Sequence, residues 1–399
     1  MIQKNIIMNQ LINKIYLTIL CFFVFFGYSS ITFSEKIICI VLGGITLILS
    51  ILQKNKKLLL TTSTKIFFLF IILSALSIAY TISFTATIYT LFLMVVCFAV
   101  KIYFENTKLD NKIIDYFIKI ILIFSGIHVF STLIYFIDPG FIQKILPYIL
   151  TKDGLTYNLS LYKYGCIAGI VSDHGINAIF ISVFISILSV FILKKFNLKY
   201  LILFILGWCA LLLTGKRGPL LANFIAFIIL FILINKNDSK KVQRFILFCF
   251  LVLVSIGTIK FVPSINFTFE RFQNAKSANQ LLNGRENSYK VMIDNFNSHF
   301  VLGTGLRSTL VINNNNDGHN IYLQLLSESG IIGFTICIIY FIHNLQITRK
   351  KNSTCSYISL FYQIWFLIYG FSGNPFYYLP TLLIYLLFTN VYFIEEDNL

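Results

Sequence analysis

The sequence predicts an all-α integral membrane protein, and three observations carry that prediction. Hydrophobic residues make up 57% of the chain and charged ones only 12%, with a mean hydropathy of +0.81, a balance that no soluble domain keeps on its surface. Apolar windows of about 20 residues, the length a spanning helix needs, recur from Ile15 almost to the C-terminus. Between them, lysine and arginine gather in every second short loop, the positive-inside pattern of a polytopic protein.

That alternation places about twelve helices with both termini cytoplasmic. The expected spans are 15–33, 37–52, 66–82, 87–104, 113–137, 168–193, 198–213, 220–234, 245–262, 331–347, 357–369 and 376–393. The first is too long for a cleavable signal peptide and lacks a small-residue cleavage site, so it is expected to remain as a helix. Cytoplasmic loops are marked by Lys54, Lys56 and Lys57; by Lys101, Lys108 and Lys112; by Lys194, Lys195 and Lys199; by Lys236, Lys240, Lys241 and Arg244; and by Arg349, Lys350 and Lys351. The outward loops are then 138–165, 214–219 and a large one, 263–330, between the ninth and tenth helices.

The chain shows no internal repeat and reads as a single polytopic domain over residues 1–399. Its net charge of +16 follows the loops, which argues against a nucleic-acid partner. The eight cysteines form no Cys-x-x-Cys pair and read as packing residues. No phosphate-binding Gly-x-x-x-x-Gly-Lys-Ser/Thr motif is present, so nucleotide hydrolysis is not expected. The histidines at 128, 174, 299, 319 and 343 lack ligand spacing and the external acids are scattered, so no metal and no cofactor are expected.

Polar chemistry concentrates in the outward loops. In the large one, Arg271, Lys276, Arg285, Lys290 and Arg307 nearly balance Glu270, Glu286, Asp294, Asp317 and Glu328, so its basic residues are not a topology signal and need another reason. In the tight turn Thr214-Gly-Lys-Arg-Gly-Pro219, Lys216 and Arg217 lie outside, against the positive-inside trend, beside a helix start. Two readings stand: a phosphate site built from backbone N–H groups and a guanidinium, or cations snorkelling to lipid phosphates.

Within 281–296, Tyr289, Met292, Ile293 and Phe296 follow helical spacing and predict an amphipathic helix with Arg285 at its start. Arg285 reads either as a functional cation or as a surface arginine. In the third stretch, Gly303-Thr-Gly305 permits a tight turn, and a helix then runs to Gly330, where a new apolar span begins. On that helix His319, Leu323 and Leu326 are expected to share one face, and Asn320, Gln324 and Glu328 another. A helix start favours the neutral imidazole a general base requires; a merely hydrogen-bonded helix-start histidine is the alternative.

Taken together, His319-Asn320, nine residues, Gly330, two residues and Gly333 resemble the shared motif of the O-antigen polymerase and O-antigen ligase superfamily of bacterial membrane proteins. The Thr214 to Gly218 turn is similar to that family's external arginine at a helix end. Arg285 followed by Gly303-Thr-Gly305 is similar to its large-loop pattern. The likeness covers roughly residues 200–340, taken as the family core with the external loop 263–330 inside it. The chain departs in having Tyr289 where a tryptophan often follows the loop arginine, and Lys216 where serine is common. Asp173-His174-Gly-Ile-Asn177 is similar to a polar segment that opens a helix in many members; His174 and Asn177 read either as lining a substrate cavity or as a satisfied helix start.

The resemblance implies a GT-C-like glycosyltransferase architecture in the bacterial cytoplasmic membrane, with its site facing outward. It implies metal-independent transfer of a glycan from an undecaprenyl-pyrophosphate carrier to an acceptor hydroxyl. His319, Arg217 and Arg285 become the expected catalytic residues: the arginines hold the pyrophosphate and His319 takes the acceptor proton. Lys216, Asn320, His174, Asn177 and Tyr289 become the expected substrate-binding set. Carrier-linked glycans, membrane lipids and a chain-length regulator are the partners it suggests. Polymerisation of O-antigen or capsule repeat units is preferred, with ligation to a lipid or protein anchor as the alternative. A lipid-linked sugar flippase would show charges inside spans and repeat symmetry, neither evident in the sequence. A peptidoglycan polymerase of the shape-and-division type would lack the His-Asn, Gly-x-x-Gly motif.

Overall fold

The computed structural model describes residues 2–27, 35–52, 60–107, 110–234, 285–314 and 316–394, and every regular element among them is helical. Numbered along the chain they are α1 (Ile2–Phe22), α2 (Glu35–Leu52), α3 (Thr62–Leu76), α4 (Phe84–Asn106), α5 (Asn111–Ile137), α6 (Pro139–Ile149), α7 (Lys152–Lys163), α8 (His174–Lys194), α9 (Leu198–Leu213), α10 (Arg217–Ile234), α11 (Arg285–Ser298), α12 (Ser308–Ile312), α13 (Ile321–Arg349), α14 (Thr354–Tyr369) and α15 (Leu379–Ile394). Among the described residues seven helices are long and apolar enough to cross a membrane, with three shorter apolar helices besides. The chain is therefore a multi-pass helical membrane protein. The expected span 245–262 lies outside the described residues, as do Lys236, Lys240, Lys241, Arg244 and the loop residues up to 284.

The chain divides into two compact units. The first comprises Met1–Ile38 and Leu109–Asn274, and its centre is α8. That helix carries apolar or small side chains on every face and is buried almost throughout, enclosed by α5, α9 and α10. Beside it α1 packs on α5 and ends in a π turn, Phe23–Gly27. His128 of α5 lies 3.1 Å through Nε2 from the Phe25 carbonyl of that turn, and its ring packs against Phe26 and Phe180. It is fully buried and belongs to the packing.

The segment 138–165, expected as an outward loop, folds as α6 and α7. Asp138 accepts a hydrogen bond from Phe141 N with Pro139 in the first turn, and Thr151 accepts one from Gly154 N. These are ordinary helix starts. Ile142 and Leu146 of α6 then reach a small core with Tyr135, Leu150, Ile167 and Leu213.

The second unit comprises Cys39–Lys108 and Ala275–Leu399. Here α13 packs on α3, α11 and α14, while α15 packs on α4 and α14. Tyr340, Phe341, Phe366, Phe376 and Tyr385 interleave between these helices. Lys101, counted among the cytoplasmic loop cations although it falls near the end of the expected span 87–104, lies within α4 and is fully buried. Its Nζ is 2.8 Å from Oε1 of Glu105 one turn on and 3.0 Å from Oδ1 of Asn390 in α15. Thr61 and Thr64 donate to the same carboxylate oxygen.

Charges this deep persist only when paired and hydrogen-bonded, and removing one partner strands the other. Lys101→Met is therefore expected to destabilise the fold by roughly 3–5 kcal/mol. The double change Lys101→Met with Glu105→Leu should regain most of that. Thermal unfolding of the purified protein in detergent checks it; equal melting temperatures for the single and double variants would contradict it.

Candidate functional site

The site is built on a break in α13. Gly330 has φ +61° and ψ −171°, which divides the helix into a short N-terminal piece and a long apolar one. The break releases backbone groups from the helical ladder, and these need partners. Ile331 N donates to the Phe300 carbonyl at 2.9 Å and Ile332 N to that of Val301 at 3.4 Å, while the Glu328 carbonyl accepts from Gly305 N at 2.8 Å. The turn 300–305 is thereby stitched to residues 328–332.

Two glycines make that approach possible. Gly303 also lies in the left-handed region, and a Cβ there would collide with the Glu328 carbonyl; one on Gly330 would collide with that of Val301. The Gly-Thr-Gly turn and the Gly330 break, which the sequence presents as separate signals, are the two halves of one interlock.

At the N-terminal end of α13, Asn320 is the N-cap, its side chain accepting from Tyr322 N at 3.1 Å and Leu323 N at 3.2 Å. His319, expected on the helix face of Leu323 and Leu326, stands before the cap at φ +50° and is exposed. Asparagine is among the best N-caps, so the cap falls one residue after the histidine and the helix begins at Ile321. The capping role occupies the Asn320 amide oxygen, whereas Gln324 and Glu328 share a buried face as expected, with Gln324 Nε2 2.8 Å from Glu328 Oε1. Arg307, Asn314 and His319 are the non-glycine residues with positive φ among the described residues, and all three lie in this one loop. Such strain persists where surrounding structure enforces it and tends to gather at functional sites.

Arg285 opens α11, as the sequence suggests. The helix lays Arg285, Ser288, Tyr289, Met292, Asn295 and Phe296 inward, while Ile293, expected on that face, is 44% exposed. Met292 fills the space that a side chain at Gly318 would need. Asn295 Nδ2 donates to Thr304 Oγ1 at 2.9 Å and to Ser327 Oγ at 2.7 Å, and Asn313 Nδ2 to Ser288 Oγ at 3.0 Å. Arg285 Nη1 donates to the Ser372 carbonyl at 3.2 Å, and Ile321 N to the Gly370 carbonyl at 2.9 Å. The structure thus brings Arg285 and the His319–Asn320 cap onto one turn, residues 370–372.

Sequence reasoning gave Arg307 no role and paired Glu328 with nothing beyond its own helix. Glu328 is fully buried and accepts from Arg307 N at 2.7 Å and from the Tyr377 hydroxyl. The Arg307 guanidinium pairs with Asp317 and lies 5.3 Å from the Tyr377 ring centroid. This cluster holds the strained Arg307 turn in place. Arg307 was visible as a cation outside the topology pattern, but nothing in the sequence pointed to Tyr377 as a partner.

In the first unit, the predicted residues of the 173–177 and 214–217 segments do meet. Asp173 caps α8 through Gly175 N, and His174 Nδ1 lies 2.8 Å from the Thr214 carbonyl. The Lys216 side chain passes over Gly175, where an added Cβ would lie 3.2 Å from Nζ. Asn177 is fully buried and donates to Thr132 Oγ1 at 2.7 Å, tying α8 to α5. Arg217 is half-buried at the first position of α10, after Gly215 at φ +70°. Lys216 and Arg217 therefore belong to one unit, and Arg285 and His319 to the other. Among the described residues no three histidine, cysteine or acidic side chains gather as a metal site.

A broken helix carrying an exposed histidine at a strained cap, with an arginine tied to the same turn, defines a polytopic membrane protein with a polar site at a helix end. Residues 201–338 match the family model described as O-antigen ligase, which supports a relation of that segment to the O-antigen polymerase and ligase superfamily. No curated protein matches the chain significantly. The matched segment contains Arg217, Arg285, His319, Gly330 and Gly333.

Proposed function

We propose that the chain polymerises undecaprenyl-pyrophosphate-linked oligosaccharide repeat units into O-antigen or capsular polysaccharide on the outer face of the bacterial cytoplasmic membrane. The observation that carries this reading is the convergence, within and beside the matched segment, of the exposed His319 cap and Arg285 on the turn 370–372. In the proposed step His319 accepts the proton of an acceptor hydroxyl, that oxygen bonds to the anomeric carbon of the donor, and the bond from this carbon to the carrier pyrophosphate breaks. Negative charge grows on the departing phosphate, and fixed guanidinium groups are the fitting stabilisers. Arg285 takes that part, and Arg217 joins it on the resemblance alone. Lys216, His174, Asn177, Tyr289 and Asn320 are proposed to bind or position substrate, without a metal.

This reading supposes about twelve spans in a GT-C-like arrangement, and a chain-length regulator as partner. Ligation of the finished glycan to a lipid or protein anchor is the second reading, favoured by the description of the matching family model. The Lys101–Glu105 pair is a charge pair inside a span, the feature a flippase would carry; its charges neutralise each other and lie outside the matched segment.

The surface glycan of a deletion strain, resolved on a gel, separates these readings. Anchors bearing a single repeat unit are expected, with long chains restored by the wild-type gene. Long carrier-linked polymer that never reaches its anchor would mean a ligase, and an unchanged profile would refute both.

A further inference from the structure

We infer that Arg307 is a positioning residue for His319: the buried Glu328 fixes its backbone, and its guanidinium holds Asp317 and so sets the loop that presents the imidazole. The inference rests on the reading of His319 as general base given above, and it assigns a task to a loop cation that the proposed step leaves unused.

The anchor is Glu328. Its carboxylate receives four donors: Arg307 N at 2.7 Å, Thr309 N at 3.4 Å, Gln324 Nε2 at 2.8 Å and the Tyr377 hydroxyl. An acceptor-only group suits that many donors, whereas a glutamine would turn an N–H against some of them. Two of the four are backbone groups of one turn, so the carboxylate dictates the shape of that turn. Arg307 is held there in the left-handed region at φ +60°. A long side chain keeps such a backbone only where its surroundings enforce it. From this turn the guanidinium lies 5.3 Å from the Tyr377 ring centroid and pairs with Asp317.

Asp317 stands two residues before His319, and the neighbouring positions are fixed as well. A Cβ on Gly318 would lie 2.5 Å from Met292 Sδ and 3.3 Å from Gln324 Oε1, so the backbone at that point is pressed against α11 and α13. Asn320 caps α13 on the other side. The His319 backbone at φ +50° is therefore suspended between the Asp317 grip and the cap, with its imidazole exposed. The Arg307 and Asp317 side chains are 22% and 36% exposed, and an ion pair so placed adds little to global stability. Its worth lies in the geometry of the loop it closes. A misplacement of about 1 Å at a reacting group costs roughly 10²-fold in rate.

The test uses the purified full-length protein in vesicles with carrier-linked repeat unit, reading kcat per folded molecule, KM for the donor and the melting temperature. Arg307→Gly is the cleaner variant, since glycine accepts the left-handed backbone and only the guanidinium is lost. Asp317→Ala breaks the same pair from its more exposed end. Each is expected to lower kcat about 10- to 10²-fold while the donor KM and the melting temperature stay as in wild type. The double variant should lose no more than either single one, because both remove the same grip. Wild-type kcat in both single variants, or additive losses in the double one, would overturn the inference. So would a raised donor KM for Arg307→Gly beside wild-type turnover by Asp317→Ala, which would put the guanidinium on the substrate. A melting temperature that falls in step with the rate in both single variants would make the pair merely structural and overturn it too. If wild type leaves the donor intact, or His319→Asn turns over as wild type does, the general-base reading fails and takes the inference with it. An inactive His319→Asn beside fully active Arg307→Gly and Asp317→Ala refutes the inference alone.

Discussion

His319→Asn lowers glycan transfer by about 10²- to 10⁴-fold while leaving the protein folded, if the imidazole is the general base. Asparagine is the informative replacement because His319 sits at φ +50°, where asparagine is tolerated and alanine is strained. The backbone that positions the Asn320 cap is then kept, and only the proton acceptor is removed. His319→Ala adds the conformational cost to the chemical one, so it should also lower the melting temperature. A transfer rate for His319→Asn within threefold of wild type, with expression matched, would show that the exposed imidazole does not take the proton.

Arg285→Ala is expected to cost about 10²- to 10³-fold in turnover, the scale seen when a fixed donor to a developing negative charge is lost. Arg285→Lys should restore little, since a lysine cannot both reach the Ser372 carbonyl and present a planar fork to phosphate oxygens. In the proposed mechanism the arginine has two tasks, and kinetics separate them. Losing charge stabilisation lowers kcat, whereas loosening the turn 370–372 raises KM for the acceptor. Single-turnover rates with carrier-linked donor give the first directly. A purely structural arginine would lower the melting temperature and leave the rate per folded molecule unchanged.

Much of this architecture was legible because membrane spans depend on composition over long windows. The helix over 198–213 is legible at both ends, and the span 113–137 at its C-terminal end, because Asp138 and the change in polarity mark it. The helices α6 and α7 were not, since short amphipathic segments between spans look like polar loop until their caps at Asp138 and Thr151 are weighed. Lys101 misled for a different reason. Counted as a positive-inside residue, it is neutralised by Glu105 one turn away and also donates a hydrogen bond to Asn390 from the far end of the chain.

At the site, the stop at Gly330 and the start of a helix near 319–320 were readable from glycine and cap chemistry. The displacement of His319 out of the helix could have been read from the stronger capping preference of Asn320. The interlock of Gly303 with Gly330 and the Glu328–Tyr377 hydrogen bond could not, because they depend on a left-handed backbone and on contacts between distant segments.

The most direct measurement of the central claim is in vitro transfer. The purified chain, in vesicles, is given carrier-linked repeat unit alone, and glycan length and released undecaprenyl pyrophosphate are followed together. The account predicts that wild type lengthens the glycan and releases one carrier pyrophosphate per new bond, while folded His319→Asn and Arg285→Ala leave the donor intact. An intact donor with wild type, or equal turnover by all three proteins, would contradict it.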